Sequence, residues 1–178
     1  MNIANNTPQG LTELSKQIHE ANAKWWTTPD GQRIERNRYE LLMLVVSELV
    51  EAMEGERKDL MDDKLSHRKM AEVEMADAAI RILDYMGGFD LSFVGSSVVR
   101  LVDNKAAAIF EITCAVADCY HHAHYHDAYL SIAMDLIIQY CEMHGYDLNA
   151  AAAEKVAYNR TRADHSHEER AKEGGKKF

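Results

Sequence analysis

The residues of this sequence most suited to a chemical function are two pairs of acids, each with the spacing of neighbours on one helix face. Glu48 and Glu51 lie three residues apart in "SELVEAMEGERK", and Glu74 and Asp77 repeat that spacing in "EVEMADAAIR". Side chains three apart leave the same face of a helix, so each pair can act on one target. If the two helices pack antiparallel, four carboxylates converge and raise one another's pKa unless a cation lies among them. Ligation by carboxylate oxygens favours magnesium or manganese over zinc.

The apolar neighbours of these acids indicate that the acids border a core. An acidic pair at this spacing is most often a solvated helix face, but Glu48 flanks one apolar stripe and Asp77 flanks another. The stripes consist of Leu42, Val45, Val46, Leu49 and Met53 in the first case and Val73, Ala76, Ile80 and Leu83 in the second. Glu54, Glu56 and Glu72 have weaker claims and are interpreted as surface or supporting groups.

The elements that carry the acids are predicted to be helices. Apolar residues recur every three or four positions from Leu11 to Trp25, which is typical of an amphipathic helix, and "TTPDG" then forms a turn. A second helix is predicted over 37–58, followed by a loop at "DLMDDKLS". A third begins near Ser66 and stops at "MGG", where Gly87 and Gly88 supply a C-terminal cap.

The chain then repeats itself. The segment "ADAAIRILDYMGGFDL" (76–91) aligns with "AMDLIIQYCEMHGYDL" (133–148), and "NRYELLMLVVSELVEAM" from Asn37 aligns with "NKAAAIFEITCAVADCY" from Asn104. Two helical hairpins, at about 37–91 and 104–148, would each leave an apolar face uncovered and would pack together as a four-helix core. We therefore predict an all-α fold with a four-helix-bundle core and additional N- and C-terminal helices.

Length and composition limit the domain number and the partners. The 178 residues suffice for one domain, which is predicted to cover 1–164 and to include a helix at about 149–162. The remaining residues, 165–178, are predicted to form a polar, mobile tail. A formal net charge of −9 argues against binding to duplex nucleic acid. The start "MNIANNTPQGL" lacks a signal-peptide pattern, so we expect no membrane association and a cytoplasmic location. Cys114, Cys119 and Cys141 are predicted to be reduced core residues.

Three segments together resemble a known superfamily. "SELVEAMEGERK", "HRKMAEVEMADAAIRILDYMGG" and "EKVAYNRTRADH" are similar to the all-α nucleoside triphosphate pyrophosphohydrolases, the superfamily of MazG and the dimeric dUTPases. The resemblance covers about 37–91 and 149–164. It implies that magnesium ions, with manganese as a possible substitute, are held by four acids, and that two residues contact phosphate. The implied ligands are Glu48, Glu51, Glu74 and Asp77, and the implied phosphate contacts are Lys155 and Asn159.

The same resemblance implies an activity. The expected reaction cleaves a nucleoside triphosphate with water to a monophosphate and pyrophosphate, with one carboxylate orienting or deprotonating the water. The base preference stays open among dUTP, dCTP, a damaged nucleotide and a guanosine alarmone, and we expect a homodimer. The second hairpin departs from the pattern, because Ala115, Ser131 and Met134 align with Glu48, Glu74 and Asp77. We therefore expect one composite site per chain, with acids from the first half and Lys155 and Asn159 from the second.

Further residues and two other functions stay open. Arg162 and Lys58 are candidates for phosphate contacts, and Trp25 or Trp26 could stack on a base or close the core. One alternative is an inactive bundle that binds a nucleotide or a partner without hydrolysis. The other is a ferritin-like di-metal bundle, which would need the histidines between His121 and His126 to lie near Glu48 and Glu74.

Overall fold

The computed structural model describes residues 1–96, 100–162, 166, 168–169 and 172–174, and helices are its main regular elements. The helices are α1 (Pro8–Ala21), α2 (Arg38–Lys58), α3 (Met70–Gly88), α4 (Lys105–His121), α5 (His126–His144) and α6 (Leu148–Thr161), with a short 3₁₀ turn at Ala23–Trp25. The described residues include no β-strand, which confirms the predicted all-α class. None of the described helices combines the length and apolar character needed to cross a membrane.

Asparagine side chains fix the starts of the two helical hairpins. The side chain of Asn37 accepts a hydrogen bond from the backbone N–H of Tyr39 at 2.9 Å, and that of Asn104 accepts one from Ala107 at 2.9 Å. Such caps satisfy N–H groups that have no partner inside the helix, so they select the residue at which a helix begins. Both helices therefore start at the asparagines that the repeat alignment places together.

The four-helix core is built from two hairpins. Helix α2 packs on α3 and α4 packs on α5, while contacts between α2 and α4 and between α3 and α5 join the hairpins. The fully buried side chains include Val45, Leu49, Leu83, Ile112, Met134 and Ile137. Helices α1 and α6 both pack on α3, which is consequently the most enclosed helix of the fold. The predicted bundle with added N- and C-terminal helices is confirmed.

The third helix and its end differ from the prediction. It begins at Met70, not near Ser66, because residues 59–69 form a loop in which Met61 pairs with Lys69. The predicted glycine cap is wrong, since Gly87 and Gly88 lie inside the helix and the left-handed residue is Asp90, with φ of 52°.

Gly87 and Gly88 are instead positions of close helix approach. A Cβ atom on Gly87 would overlap the backbone carbonyl oxygen of Ser15 and lie 2.7 Å from the Cβ of His19, and one on Gly88 would overlap the ring of Trp26. The two glycines therefore allow α1 and the turn that follows it to pack directly on the backbone of α3. In the second hairpin a glycine does end the helix, since Gly145 is the C-cap of α5 with φ of 69°.

Replacing Gly87 with alanine is expected to destabilise the fold by about 2–4 kcal/mol, because the backbone of α1 must move away from α3. Urea denaturation followed by circular dichroism measures the change. Gly95→Ala is the matched control, since a Cβ there meets no atom within 4 Å, and it should change stability by less than about 0.5 kcal/mol. Equal stability of the two variants would contradict the close approach of α1 and α3.

Two further predictions have mixed outcomes. Cys119 and Cys141 are buried as predicted, but Cys114 is exposed, so the core prediction is wrong for this residue. Within the predicted tail at 165–178 the structure describes only 166, 168–169 and 172–174, so that prediction lies largely outside the described residues.

Candidate functional site

A cavity of about 520 Å³ lies where α1, α2, α3 and α6 meet. Eight of the nine candidate residues line it, and Lys58 does not. The eight are Glu48, Glu51, Glu74, Asp77, Lys155, Asn159, Arg162 and Trp25. The fold therefore brings acids from the first hairpin and polar residues from α6 to one place.

Three of the four acids form a tight cluster at the wall of this cavity. Glu48, Glu74 and Asp77 each offer one carboxylate oxygen, and these oxygens all lie within 4.8 Å of one another. Glu48 and Glu74 are buried. Within the described part of the chain, no other group of at least three acidic, histidine or cysteine side chains comes as close. Glu51 lines the same cavity but lies outside the tight cluster and is exposed.

Two basic side chains partly balance this cluster. The Nζ of Lys155 lies 2.7 Å from Oδ2 of Asp77, and the Nε of Arg81 lies 2.5 Å from Oε1 of Glu48. Lys155 is itself buried, so a desolvated positive charge on α6 lies directly beside the acids of α3. If all three carboxylates were ionised, the cluster together with its two basic partners would still have a net charge of −1.

The acids have pKa values that disfavour this ionised state. Burial raises the pKa of Glu74 far above its usual range, and the charges of Asp77 and Glu48 raise it further against the opposing effect of Lys155. Burial also raises the pKa of Asp77 to about 6. Partial desolvation of the carboxylate and the charge of Glu48 raise the pKa of Glu51, although the residue as a whole is exposed. A group of acids that resists ionisation in this way is one that a divalent cation would stabilise.

In the absence of divalent cations, the melting temperature is expected to fall as the pH rises from about 5 to about 8. The pKa values of Glu74 and Asp77 lie above their unfolded values, so the folded state binds more protons across this window and loses stability as they dissociate. The expected loss is at least the ~2–4 °C that ~1 kcal/mol produces in a domain of this size.

Calorimetry in EDTA and in magnesium measures this dependence. Magnesium should flatten the decline by stabilising the ionised acids, and Glu74→Gln should reduce it in EDTA by removing one titrating group. A melting temperature in EDTA that stays constant or increases across the window would contradict the raised pKa values.

Polar groups of α6 extend the site beyond the acids. Asn159 lies one turn after Lys155, and its buried Oδ1 has no hydrogen-bond partner. Arg160 and Arg162 line the cavity at the end of the same helix. A buried polar atom without a partner is uncommon, so this amide is placed to meet a ligand, a water molecule or an ion.

Apolar and aromatic side chains also line the cavity, including the two tryptophans. Trp26 belongs to the core, and its Nε1 donates a hydrogen bond of 3.0 Å to Oδ1 of Asp84. Trp25 is half-buried and lines the cavity together with Leu41 and Leu44. Both tryptophans therefore line the cavity, and they differ in burial, since Trp26 is buried and Trp25 is half-buried.

Lys58 and the remaining acids near the motif contact neighbouring side chains instead of lining the cavity. Lys58 pairs with Glu54 on the outer surface of α2, away from the cavity. Glu56 accepts hydrogen bonds of 2.7 Å from the hydroxyls of Tyr140 and Tyr146, which ties α2 to the end of α5. Glu72 is buried and pairs with Arg68 at a distance of 2.6 Å.

The histidines predicted for the di-metal alternative do not join the acids. His126 is buried, where its Nδ1 contacts the hydroxyl of Tyr85 and its Nε2 lies 2.8 Å from the backbone oxygen of Cys119. His121, His122 and His124 are exposed, and the acidic cluster contains no histidine.

The second hairpin has core residues in place of the acids. Ala115, Ser131 and Met134 are all buried, and the Oγ of Ser131 donates a hydrogen bond of 2.6 Å to the backbone oxygen of Asp127. This hairpin therefore contributes packing where the first contributes carboxylates.

The sequence interpretation missed Arg81 and Arg36, both of which line the cavity. Arg81 could have been found, because it follows Asp77 by four residues and must share its helix face. Arg36 precedes α2 in an irregular segment, where no spacing rule places a side chain.

Comparisons with protein-family models, curated proteins and solved structures found no match to this chain. The fold and the site define an all-helical bundle with a buried acidic cluster at the wall of a cavity of about 520 Å³, a volume usual for small-molecule sites.

Proposed function

We propose that this protein is a magnesium-dependent nucleoside triphosphate pyrophosphohydrolase of the all-α type. It cleaves a ribo- or deoxyribonucleoside triphosphate with water to the monophosphate and pyrophosphate. The observation that carries the proposal is the convergence of Glu48, Glu74 and Asp77 within 4.8 Å at the wall of a cavity that Lys155 and Asn159 also line.

The three clustered carboxylates would hold the metal. They offer only oxygen atoms, which suits magnesium or manganese, and the raised pKa values of Glu74 and Asp77 indicate that these two acids need a cation to ionise together. When bound, the metal supplies charge neutralisation on the phosphate oxygens and acidifies a water molecule.

The remaining residues bind and orient the substrate. Lys155 is buried and carries a positive charge that can turn from Asp77 towards a phosphate oxygen. Asn159 lies one turn further along α6, and Arg160 and Arg162 also line the cavity. We therefore expect the triphosphate to lie between α3 and α6.

Glu51 is proposed to orient and deprotonate the attacking water. It lines the cavity beside the cluster without belonging to it, so its carboxylate is not committed to the metal. Its pKa is raised by partial desolvation and by Glu48, which makes it a stronger base than an ordinary glutamate.

The apolar residues of the cavity are proposed to receive the nucleoside. Trp25, Leu41 and Leu44 offer flat and aliphatic surface in the cavity that the acids also line. The cavity volume of about 520 Å³ is within the usual range for small-molecule sites, whereas a duplex nucleic acid would not enter it.

Pyrophosphate release from a panel of nucleotides tests the proposal. The panel contains the common ribo- and deoxyribonucleoside triphosphates, oxidised guanine nucleotides and guanosine alarmones, each with magnesium, manganese or EDTA. Equal amounts of monophosphate and pyrophosphate from at least one nucleotide, abolished by EDTA, are expected. Release of orthophosphate instead, or no release from the whole panel, would contradict the proposal.

A further inference from the structure

A carboxylate lies among the apolar residues that are proposed to receive the nucleoside. Asp84 lines the cavity together with Leu41 and Leu44, and these three residues also line a second, small pocket of about 30 Å³ with Trp26. The side chain of Asp84 is only 17% exposed. A charged group in apolar surroundings costs free energy unless polar partners satisfy it, so the partners of this carboxylate matter.

The two oxygens of the Asp84 carboxylate have different surroundings. Oδ1 accepts a hydrogen bond of 3.0 Å from Nε1 of Trp26 and lies 3.0 Å from Nδ1 of His19. Oδ2 forms no hydrogen bond with any residue that the structure describes, although it is not fully enclosed. One oxygen therefore holds α1 and the turn after it on α3, and the other is available to a ligand.

Arg36 supplies positive charge near this carboxylate. Its side chain lines the cavity, and its Nη1 donates a hydrogen bond of 3.3 Å to the backbone oxygen of Trp25. Desolvation lowers the pKa of Arg36, and the charges of Glu40 and Asp84 oppose this effect. Arg36 is therefore close enough to interact with the charge of Asp84, but it forms no ion pair that would occupy Oδ2.

Asp84 lies on the helix face that carries the acidic cluster. It follows Asp77 by seven residues, which is two turns of α3, or about 10 Å along the helix axis. Arg81 lies between them, one turn after Asp77. With the triphosphate bound near Glu74 and Asp77, the base would extend along α3 and bring its far edge towards Asp84.

The available oxygen of Asp84 suits an amino group on that edge. An ionised carboxylate accepts hydrogen bonds and donates none. Cytosine and adenine carry an amino group on the edge far from the sugar, whereas uracil, thymine, guanine and hypoxanthine carry a carbonyl oxygen there. The amino group can donate to Oδ2, but a carbonyl oxygen would face it with like partial charge and leave both acceptors without a donor.

We propose that Asp84 selects nucleotides whose base is cytosine or adenine, through a hydrogen bond from the amino group of the base to Oδ2. This inference rests on the proposed function, because it requires a nucleotide in the cavity with its phosphates at the acids. Asp84 is then a specificity-determining residue, since it contacts the base and not the phosphate that reacts.

Two pairs of substrates isolate this contact. dCTP and dUTP differ only on the edge in question, and so do dATP and dITP. For at least one pair, kcat/KM of the amino member should exceed that of the carbonyl member by about 10–100-fold, which is the effect of one hydrogen bond to a charged group. Pyrophosphate release with magnesium gives both values.

Asp84→Asn should reduce this ratio at least tenfold. The amide can donate to a carbonyl oxygen of the base, while its own oxygen still accepts the hydrogen bond from Trp26, so the packing of α1 on α3 is preserved. Asp63→Asn is the matched control, because Asp63 also lines the cavity and loses the same charge, but it pairs with Lys64 on the 59–69 loop. It should leave the ratio unchanged.

Binding separates failure of this inference from failure of the proposed function. The α,β-imido analogues of the four nucleotides, which resist cleavage at that bridge, are titrated with magnesium while the fluorescence of the cavity tryptophans is followed. Tighter binding of an amino analogue without turnover of any nucleotide would support the choice of base and overturn the pyrophosphohydrolase proposal. Pyrophosphate release with equal kcat/KM within both pairs, or with a ratio that Asp84→Asn leaves unchanged, would overturn the role of Asp84 alone. No binding of any analogue would overturn both.

Discussion

Glu48→Gln is expected to abolish pyrophosphate release while the bundle stays folded. The amide can still accept the hydrogen bond that Arg81 donates at 2.5 Å, so the packing around this buried residue is preserved. The substitution removes one of three clustered carboxylate charges, which weakens metal binding and transition-state stabilisation together. A loss of about 4 kcal/mol corresponds to a fall in rate of about 10³-fold.

Steady-state pyrophosphate release and calorimetric titration with magnesium measure the two effects. Glu54→Gln is the matched control, because Glu54 lies on the same helix, pairs with Arg57 and Lys58 on the surface, and does not line the cavity. Its rate should equal that of the wild type. Full activity of Glu48→Gln would exclude the acidic cluster as the catalytic centre, and circular dichroism separates loss of activity from loss of fold.

Lys155→Met is expected to destabilise the protein by about 3–5 kcal/mol in EDTA, because it leaves Asp77 without its ionic partner in a buried cluster. Methionine retains most of the aliphatic stem, so the loss reports on charge more than on packing. The effect should be larger at pH 8 than at pH 5, since Asp77, whose pKa is already raised to about 6, can escape the cost by binding a proton.

Denaturation in EDTA and in magnesium measures this dependence on the cation. Magnesium should restore part of the lost stability by replacing the missing charge, but it should not restore turnover, because Lys155 is also the proposed phosphate contact. Lys58→Met is the control, an exposed lysine paired with Glu54, and should cost less than about 1 kcal/mol. Unchanged stability of Lys155→Met in EDTA would show that Asp77 is not ionised beside it.

Local patterns were enough to predict most of the helical elements. Helix α2 was predicted over 37–58 and observed at Arg38–Lys58, because its apolar stripe and its asparagine cap both act within a few residues. The start of α3 was placed about four residues early, since the 59–69 loop is held by pairing between its own two ends, at Met61 and Lys69. The glycines that end α3 were misassigned because their role is contact with α1, which no local pattern records.

For the candidate site, too, some features follow from the sequence and others only from the tertiary structure. That Glu48 shares a face with Glu51, and Glu74 with Asp77, follows from the sequence alone, because hydrogen bonds within one helix fix the positions of side chains three apart. Only the tertiary structure decided that Glu51 lies outside the tight cluster, that Arg81 pairs with Glu48 and that Lys155 reaches Asp77. Those distances depend on how each helix is rotated and how closely it packs on its neighbours, and this is set by the shapes of side chains distant in sequence.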